Sequence, residues 1–263
     1  MRKITNYFVV GLLSASVIAC QKDKAFEQED GVSQEVLAKI SELGFSTDDV
    51  KKLDNGYLVE GDIVLTPEMM NGQKNNKLLR IADVEQYHTT NLVKGLPRTI
   101  NVVTTSDVPS TLVSALNAAV TRYNNEPLAL KFTVNGSGTA HITIKMVNTT
   151  QYIASAGFPT SGGEPYNTIN YSTNYVNYGS GFLTTVLAHE MGHCIGFRHT
   201  DYMNRAYSCG GRRYNEGTAG VGAIHIPGTP TGPDPNSWML ACLSSTTDRP
   251  FNANDKTALN YLY

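Results

Sequence analysis

Apolar and polar positions divide the chain into stretches of different character. Phe8 to Ile18 is largely apolar, is preceded by Arg2 and Lys3, and ends in Ala19-Cys20. About eleven such residues are too few to cross a bilayer as a helix. A basic start, a short apolar core and a small residue before the cut describe an export signal. Gln21 to Asp30 is polar and charged, which predicts a flexible tether.

Beyond it, Val36, Leu37, Ile40 and Leu43 recur with a helical period between Ser33 and Leu43, and Gly44 follows as a stop. Tyr57–Val59 and Asp62–Leu65 predict strands, with a turn at Asn55-Gly56. A boundary is expected between Asn71 and Leu96. From there the pattern predicts a strand over Thr99–Thr104. A helix opened by Pro109 follows, with Leu112, Leu116, Ala119, Val120 and Tyr123 on one face. Strands are predicted over Leu130–Val134 and His141–Val147. Thr168–Tyr171 is the best strand in a Gly-, Asn-, Ser- and Tyr-rich stretch. A second long helix covers Phe182 to Ile195, and Ala253–Leu262 closes the chain after an irregular region. Strands with helices placed among them give an α+β fold. The expected division is residues 1–20 as signal, 21–94 as tether and small α/β front segment, and 95–263 as the main domain.

Composition changes this picture only when resolved along the chain. The 263 residues carry 21 basic and 23 acidic side chains. That near-neutrality excludes nucleic-acid binding driven by bulk charge, and four cysteines exclude a disulfide-dense scaffold. The balance is uneven, however. Residues 21–90 hold 8 basic against 14 acidic side chains, whereas residues 91–263 hold 11 against 9. An acidic front segment can therefore dock electrostatically on a mildly basic main domain.

The chemistry lies in residues 189–199, which read His-Glu-Met-Gly-His-Cys-Ile-Gly-Phe-Arg-His. On a helix, His189 and His193 share a face one turn apart and can bind one zinc ion. Glu190 is rotated by about 100° from that face, where a general base for a zinc-bound water belongs. His199 reaches the same ion only if the chain leaves the helix and doubles back. Gly196 supplies the residue at which it turns. Three imidazoles leave a coordination position open, as catalytic rather than structural zinc sites do.

This spacing resembles the metzincin signature. Met239, within Ser237-Trp238-Met239-Leu240, stands where the resemblance places the methionine of the Met-turn. The ending Phe197-Arg198-His199-Thr200-Asp201 narrows the likeness to the protease B type, the dual-action HEIGH metallopeptidases. Val59-Glu60-Gly61-Asp62-Ile63 is similar to that family's propeptide region. The resemblance implies a metzincin fold: a twisted, mostly parallel sheet, two long helices and an irregular C-terminal subdomain behind a small α/β pro-segment. It also implies a secreted or surface zinc endopeptidase acting on protein or peptide substrates. Met191 replaces the family's usual Ile. Position 241 is Ala, so the tyrosine that some metzincins carry two residues past the methionine is missing. Tyr202 and Tyr207 are the replacements considered. An extended substrate is expected to pair with an edge strand at Thr168–Tyr171.

Val17-Ile18-Ala19-Cys20 resembles the lipobox of bacterial lipoproteins, which makes Cys20 the lipidation site. The expectation is an exported lipoprotein at the outer membrane or cell surface, monomeric and touching membrane only through its anchor. Cys194, Cys209 and Cys242 then remain. Cys209 with Cys242 is the first pairing considered and Cys194 with Cys242 the alternative. His141 and His225 read as structural. Asp62 and His88 are the candidates for blocking the open zinc position. Asn135–Thr139 and Asp234 are the calcium candidates, without a recognised calcium loop. The rival reading is a latent zinc-containing surface lipoprotein serving as a binding module.

Overall fold

A computed structural model describes residues 31–43, 45–71, 86–213, 215–216, 222–230 and 232–263. The expected signal at 1–20 with Cys20, the tether at 21–30 and the stop at Gly44 lie outside the described residues. So does much of the expected boundary region between 71 and 96. No helix among the described residues is long and apolar enough to cross a membrane.

The front segment builds α1 (Gln34–Glu42), β1 (Lys51–Leu53), β2 (Gly56–Val59), β3 (Ile63–Leu65) and the short α2 (Pro67–Asn71). Ser33 caps α1 by accepting the Val36 N–H. The three strands form an antiparallel sheet in chain order, and β1 is an element the pattern did not predict. Ile40, Leu43, Val59, Ile63 and Leu65 bury together. Their cluster also takes in Phe158 from the main body.

The main body follows as β4 (Tyr87–His88), β5 (Arg98–Thr104), α3 (Ser110–Asn124), β6 (Leu130–Val134), β7 (Ile142–Val147), β8 (Ala154–Ser155) and β9 (Thr168–Ser172). After these come α4 (Ser180–Ile195), α5 (Ala206–Cys209), β10 (Ile224–His225) and α6 (Ala253–Leu262). The five-stranded sheet runs β6-β5-β7-β9-β8. All its pairings are parallel except β8 with β9, where Ala154 faces Tyr171. The mixture of strands and helices is the one the pattern predicts, and the mostly parallel sheet is the one the resemblance implies.

The predicted apolar face of α3 is buried, and Pro109 occupies its N-cap. The helix packs against α4, with the Tyr123 hydroxyl donating to the Ala188 carbonyl at 2.7 Å. Every residue of α4 from Phe182 to Ile195 is buried, which suits its lack of a polar stripe. One strand expectation is corrected. β9, over Thr168–Ser172, lies between β7 and β8, so Thr168–Tyr171 is interior and Ala154–Ser155 forms the edge. The hydrogen-bonding pattern of a strand is legible locally, but its place in the sheet is not.

Residues 86–94 are tied into the main body. Thr89 N–H donates to the Gly196 carbonyl at 2.8 Å, and Arg198 N–H donates to that of Tyr87 at 2.9 Å. The Gln86 amide, fully buried, donates to Asp255 at 2.7 Å and Ser237 at 3.1 Å. Cys209 and Cys242 form a disulfide with Cα atoms 5.1 Å apart, while Cys194 is a buried thiol.

Candidate metal centre

The helix α4 ends where the site needs it to. Gly196 adopts φ 111°, a left-handed conformation, and its N–H caps the carbonyls of Gly192 and His193. A Cβ there would lie 2.9 Å from the Asn91 carbonyl oxygen, so residues 86–94 press on the turn as closely as glycine permits. The chain reverses and brings His199 back to His189 and His193. Their Nε2 atoms converge, that of His193 lying 2.9 Å from that of His189 and 3.2 Å from that of His199.

The other ring nitrogens fix the tautomers. His189 Nδ1 meets the Trp238 carbonyl at 2.9 Å, and His193 Nδ1 meets the Phe197 carbonyl at 2.8 Å. His199 Nδ1 meets Glu216 Oε1 at 3.0 Å. Carbonyls and carboxylates only accept, so each Nδ1 donates, and each Nε2 is the nitrogen left to offer a lone pair to an ion at the centre. Three lone pairs this close repel unless a cation lies among them. Zinc fits this all-imidazole donor set, and the oriented second nitrogens are the support a metal-ligating histidine needs. Glu216 is a residue that sequence reasoning missed. It lies seventeen positions beyond His199, and no spacing rule marks it.

Asp62 of the front segment completes the cluster. Its Oδ2 lies 3.1 Å from His199 Nε2 and 3.5 Å from His189 Nε2, and the four side chains together could hold a metal ion. The segment is anchored beside them on the sheet edge. Val64 N–H donates to the Ala156 carbonyl at 2.7 Å, and Ala156 N–H donates to that of Asp62 at 2.9 Å. Of the two blocking candidates, His88 is elsewhere, in β4 with its Nδ1 donating to the Thr89 carbonyl at 2.7 Å.

Electrostatics also favour positive charge at the centre. Burial opposes ionisation of Asp62, but His199 and the hydrogen bonds from His189 and His199 hold its carboxyl well below the usual range. Burial disfavours a charged His199, yet Asp62 and Glu216 on its two sides push it well above the ordinary imidazole value. Burial and the two neighbouring imidazoles keep His193 neutral. Glu190 is buried beside the triad, and burial together with Asp62 pushes its pKa well up. One of its oxygens, Oε2, has no hydrogen-bond partner, so it is free to take a proton from a small molecule admitted there.

Met239 lies under the helix. A Cβ on Gly192 would stand 2.6 Å from Met239 Sδ, so this glycine is what lets the turn approach α4. The same turn supplies the Trp238 carbonyl that holds His189, and Met239 O accepts the Thr200 N–H at 2.9 Å.

The remaining candidates separate. Tyr202 is buried edge-on to Tyr87, and Tyr207 is exposed. The hydroxyls that feel the Glu190 charge are instead those of Tyr152 and Tyr171, both raised chiefly by burial. His141 Nδ1 accepts the Asn101 N–H at 3.0 Å, and His225 pairs with the Thr229 hydroxyl at 3.1 Å. Asp234 accepts the side-chain amides of Asn252 and Asn254, each at 2.8 Å, and the Gly136 N–H donates to Asn101 at 2.9 Å. Neither calcium candidate belongs to a cluster of metal-ligating groups among the described residues.

Comparison with known proteins gives one family. Residues 57–263 match the model of the dual-action HEIGH metallo-peptidases, a span that includes Glu60 and Asp62 as well as the triad. No curated protein matches the chain. Among solved structures, one of myroilysin is similar at 15% identity and TM-score 0.46, covering 66% of this chain and 96% of that one. A second myroilysin structure gives 12% identity and TM-score 0.41, covering 64% and 83%. High choriolytic enzyme 1, a hatching enzyme zinc-protease from the medaka Oryzias latipes, gives 16% and 0.34, covering 62% and 88%.

Proposed function

Because this chain belongs to the dual-action HEIGH metallopeptidase family, and is a zinc metallopeptidase, we propose that it cleaves internal peptide bonds of proteins with Glu190 as general base. The observation that carries this reading is the convergence of three oriented imidazoles beside a buried carboxylate with one unpartnered oxygen. His189, His193 and His199 would hold the ion. When bound there, zinc polarises the scissile carbonyl and acidifies the attacking water. Glu190 takes the proton from that water and delivers it to the leaving amine. The backbone of Ala156, now engaged by Asp62 and Val64, is the strand edge to which an extended substrate would add.

The front segment is read as a propeptide that blocks this site. Asp62 stands at the open side of the triad, and the segment holds the edge a substrate needs. Activation then requires a cut followed by departure of the segment. The bonds made by Gln86, Tyr87 and Thr89 favour a cut before Gln86, keeping 86–94 with the catalytic body. Export through residues 1–20 and anchoring by a lipid on Cys20 are part of the same proposal, supported by the residues preceding Cys20.

The test is hydrolysis of casein by the processed chain, abolished by a chelator and restored by zinc. Glu190→Gln should retain one zinc per chain and lose about 10²- to 10⁴-fold in turnover. Substantial residual proteolysis in that variant would refute the role of Glu190. N-terminal sequencing of the active product locates the cut.

A further inference from the structure

Two residues before Asp62, the carboxylate of Glu60 is buried against Arg198. Arg198 Nη2 donates to Oε2 at 2.9 Å and to Oε1 at 3.1 Å. The two side chains are 1% and 0% exposed, respectively. The guanidinium lies over the rings of Phe45 and Tyr202, 5.5 Å from each centroid. Arg205 donates to the Glu60 backbone carbonyl and, at 3.2 Å, to Glu216. A buried ion pair is costly to break because the remaining charge loses its compensation.

The parts of this cluster have different origins. Glu60 and Phe45 belong to the front segment, whereas Arg198, Tyr202, Arg205 and Glu216 belong to the main body. Departure of the front segment removes the Glu60 carboxylate. It leaves two guanidiniums facing Glu216, whose carboxylate also holds His199. The result is a vacated pocket that presents two guanidiniums and is shaped around a carboxylate.

The position of the pocket ties it to the cleavage site. The chain passes from Glu60 to Asp62 at the triad and on to Ile63 and Val64 at the sheet edge. The Arg198 pocket therefore lies within about 7 Å of chain from the residue at the metal centre. We propose that Arg198, assisted by Arg205, is a specificity-determining subsite. It selects peptides with an acidic side chain within two residues of the scissile bond, and Glu60 occupies it in the unprocessed chain. This inference rests on reading the front segment as removable.

The experiment uses the full chain, processed by limited proteolysis until the front segment separates. A peptide library read by mass spectrometry first locates cleaved bonds. Matched fluorogenic peptides then carry Glu, Gln or Lys at each of the two positions on either side of one such bond. At one position, kcat/KM for Glu should exceed that for Gln by on the order of tenfold or more, with Lys lower still. Arg198→Met, which keeps apolar bulk against the Tyr202 ring, should lose the discrimination. If that variant does not fold, the wild-type series alone decides. Equal kcat/KM for Glu, Gln and Lys at all four positions overturns the subsite and leaves the peptidase reading standing. If the processed chain cleaves no peptide, the reading of the front segment fails and this inference falls with it.

Discussion

Asp62 Oδ2 lies 3.1 Å from His199 Nε2, a carboxylate of the front segment set against an imidazole of the main body across 137 positions of sequence. If this contact enforces latency, Asp62→Ala should let the uncut chain hydrolyse casein roughly tenfold faster or more, the worth of one hydrogen bond to a charged group. The gain should stop short of full activity, because Glu60 still holds Arg198 and Val64 still holds Ala156. A gel-based assay that follows cleavage before any shortening of the chain checks this. No change in that rate would exclude Asp62 as the block.

Glu216 is bound to His199 Nδ1 and to Arg205. Glu216→Ala frees the third imidazole to rotate and leaves a buried guanidinium short of a partner. Zinc affinity, measured by competition with a chromogenic chelator, should fall about 10- to 100-fold. Glu216→Gln keeps an acceptor for His199 and should lose less. Equal affinity in all three proteins would mean that His199 is oriented by the backbone alone.

What the sequence makes legible here is what is local. His189, Glu190 and His193 sit on one helix, and Gly196 ends it, so spacing alone predicts their relative placement. The buried face of α3 follows from periodicity in the same way. What stays hidden depends on long-range pairing. Nothing in Thr168–Tyr171 says that β8 lies outside it, because alternation marks a strand but not its neighbours. Glu216 reaches His199 from seventeen positions away, at a spacing that no helical or strand period marks. Asp62 and His88 are equivalent as candidate blockers until pairing at the edge strand delivers one of them to the triad.

Gly192 is the position where helix and Met-turn nearly touch. A methyl group there would sit 2.6 Å from Met239 Sδ and 3.2 Å from Trp238 Nε1. Gly192→Ala gains helix propensity but overpacks this contact. The net expectation is a loss of about 1–3 kcal/mol. Because Trp238 O also holds His189, zinc affinity should fall along with the thermal midpoint. Calorimetry with and without zinc checks both. An unchanged midpoint would show that the turn relaxes without cost.

Asp255 links stability to pH away from the metal centre. Burial raises its pKa from 3.8 to about 7, despite hydrogen bonds from Asn252, Ser237 and Trp238. A raised folded-state pKa means that the native chain binds the proton more tightly than the unfolded chain does. Its contribution is therefore present below pH 3.8, is lost as pH rises through the window from about 3.8 to about 7, and stays lost above it. The full span corresponds to roughly 4 kcal/mol. Asp255→Asn cannot titrate, so the variant's stability relative to wild type should improve steadily from pH 4 to pH 7 and then level off. Urea titrations of zinc-loaded protein at matched pH values measure that difference, which cancels the histidines and other carboxylates common to both chains. A difference that does not change with pH would mean that Asp255 is ionised throughout, held so by the Gln86 amide at 2.7 Å and the Asn252 N–H at 3.0 Å.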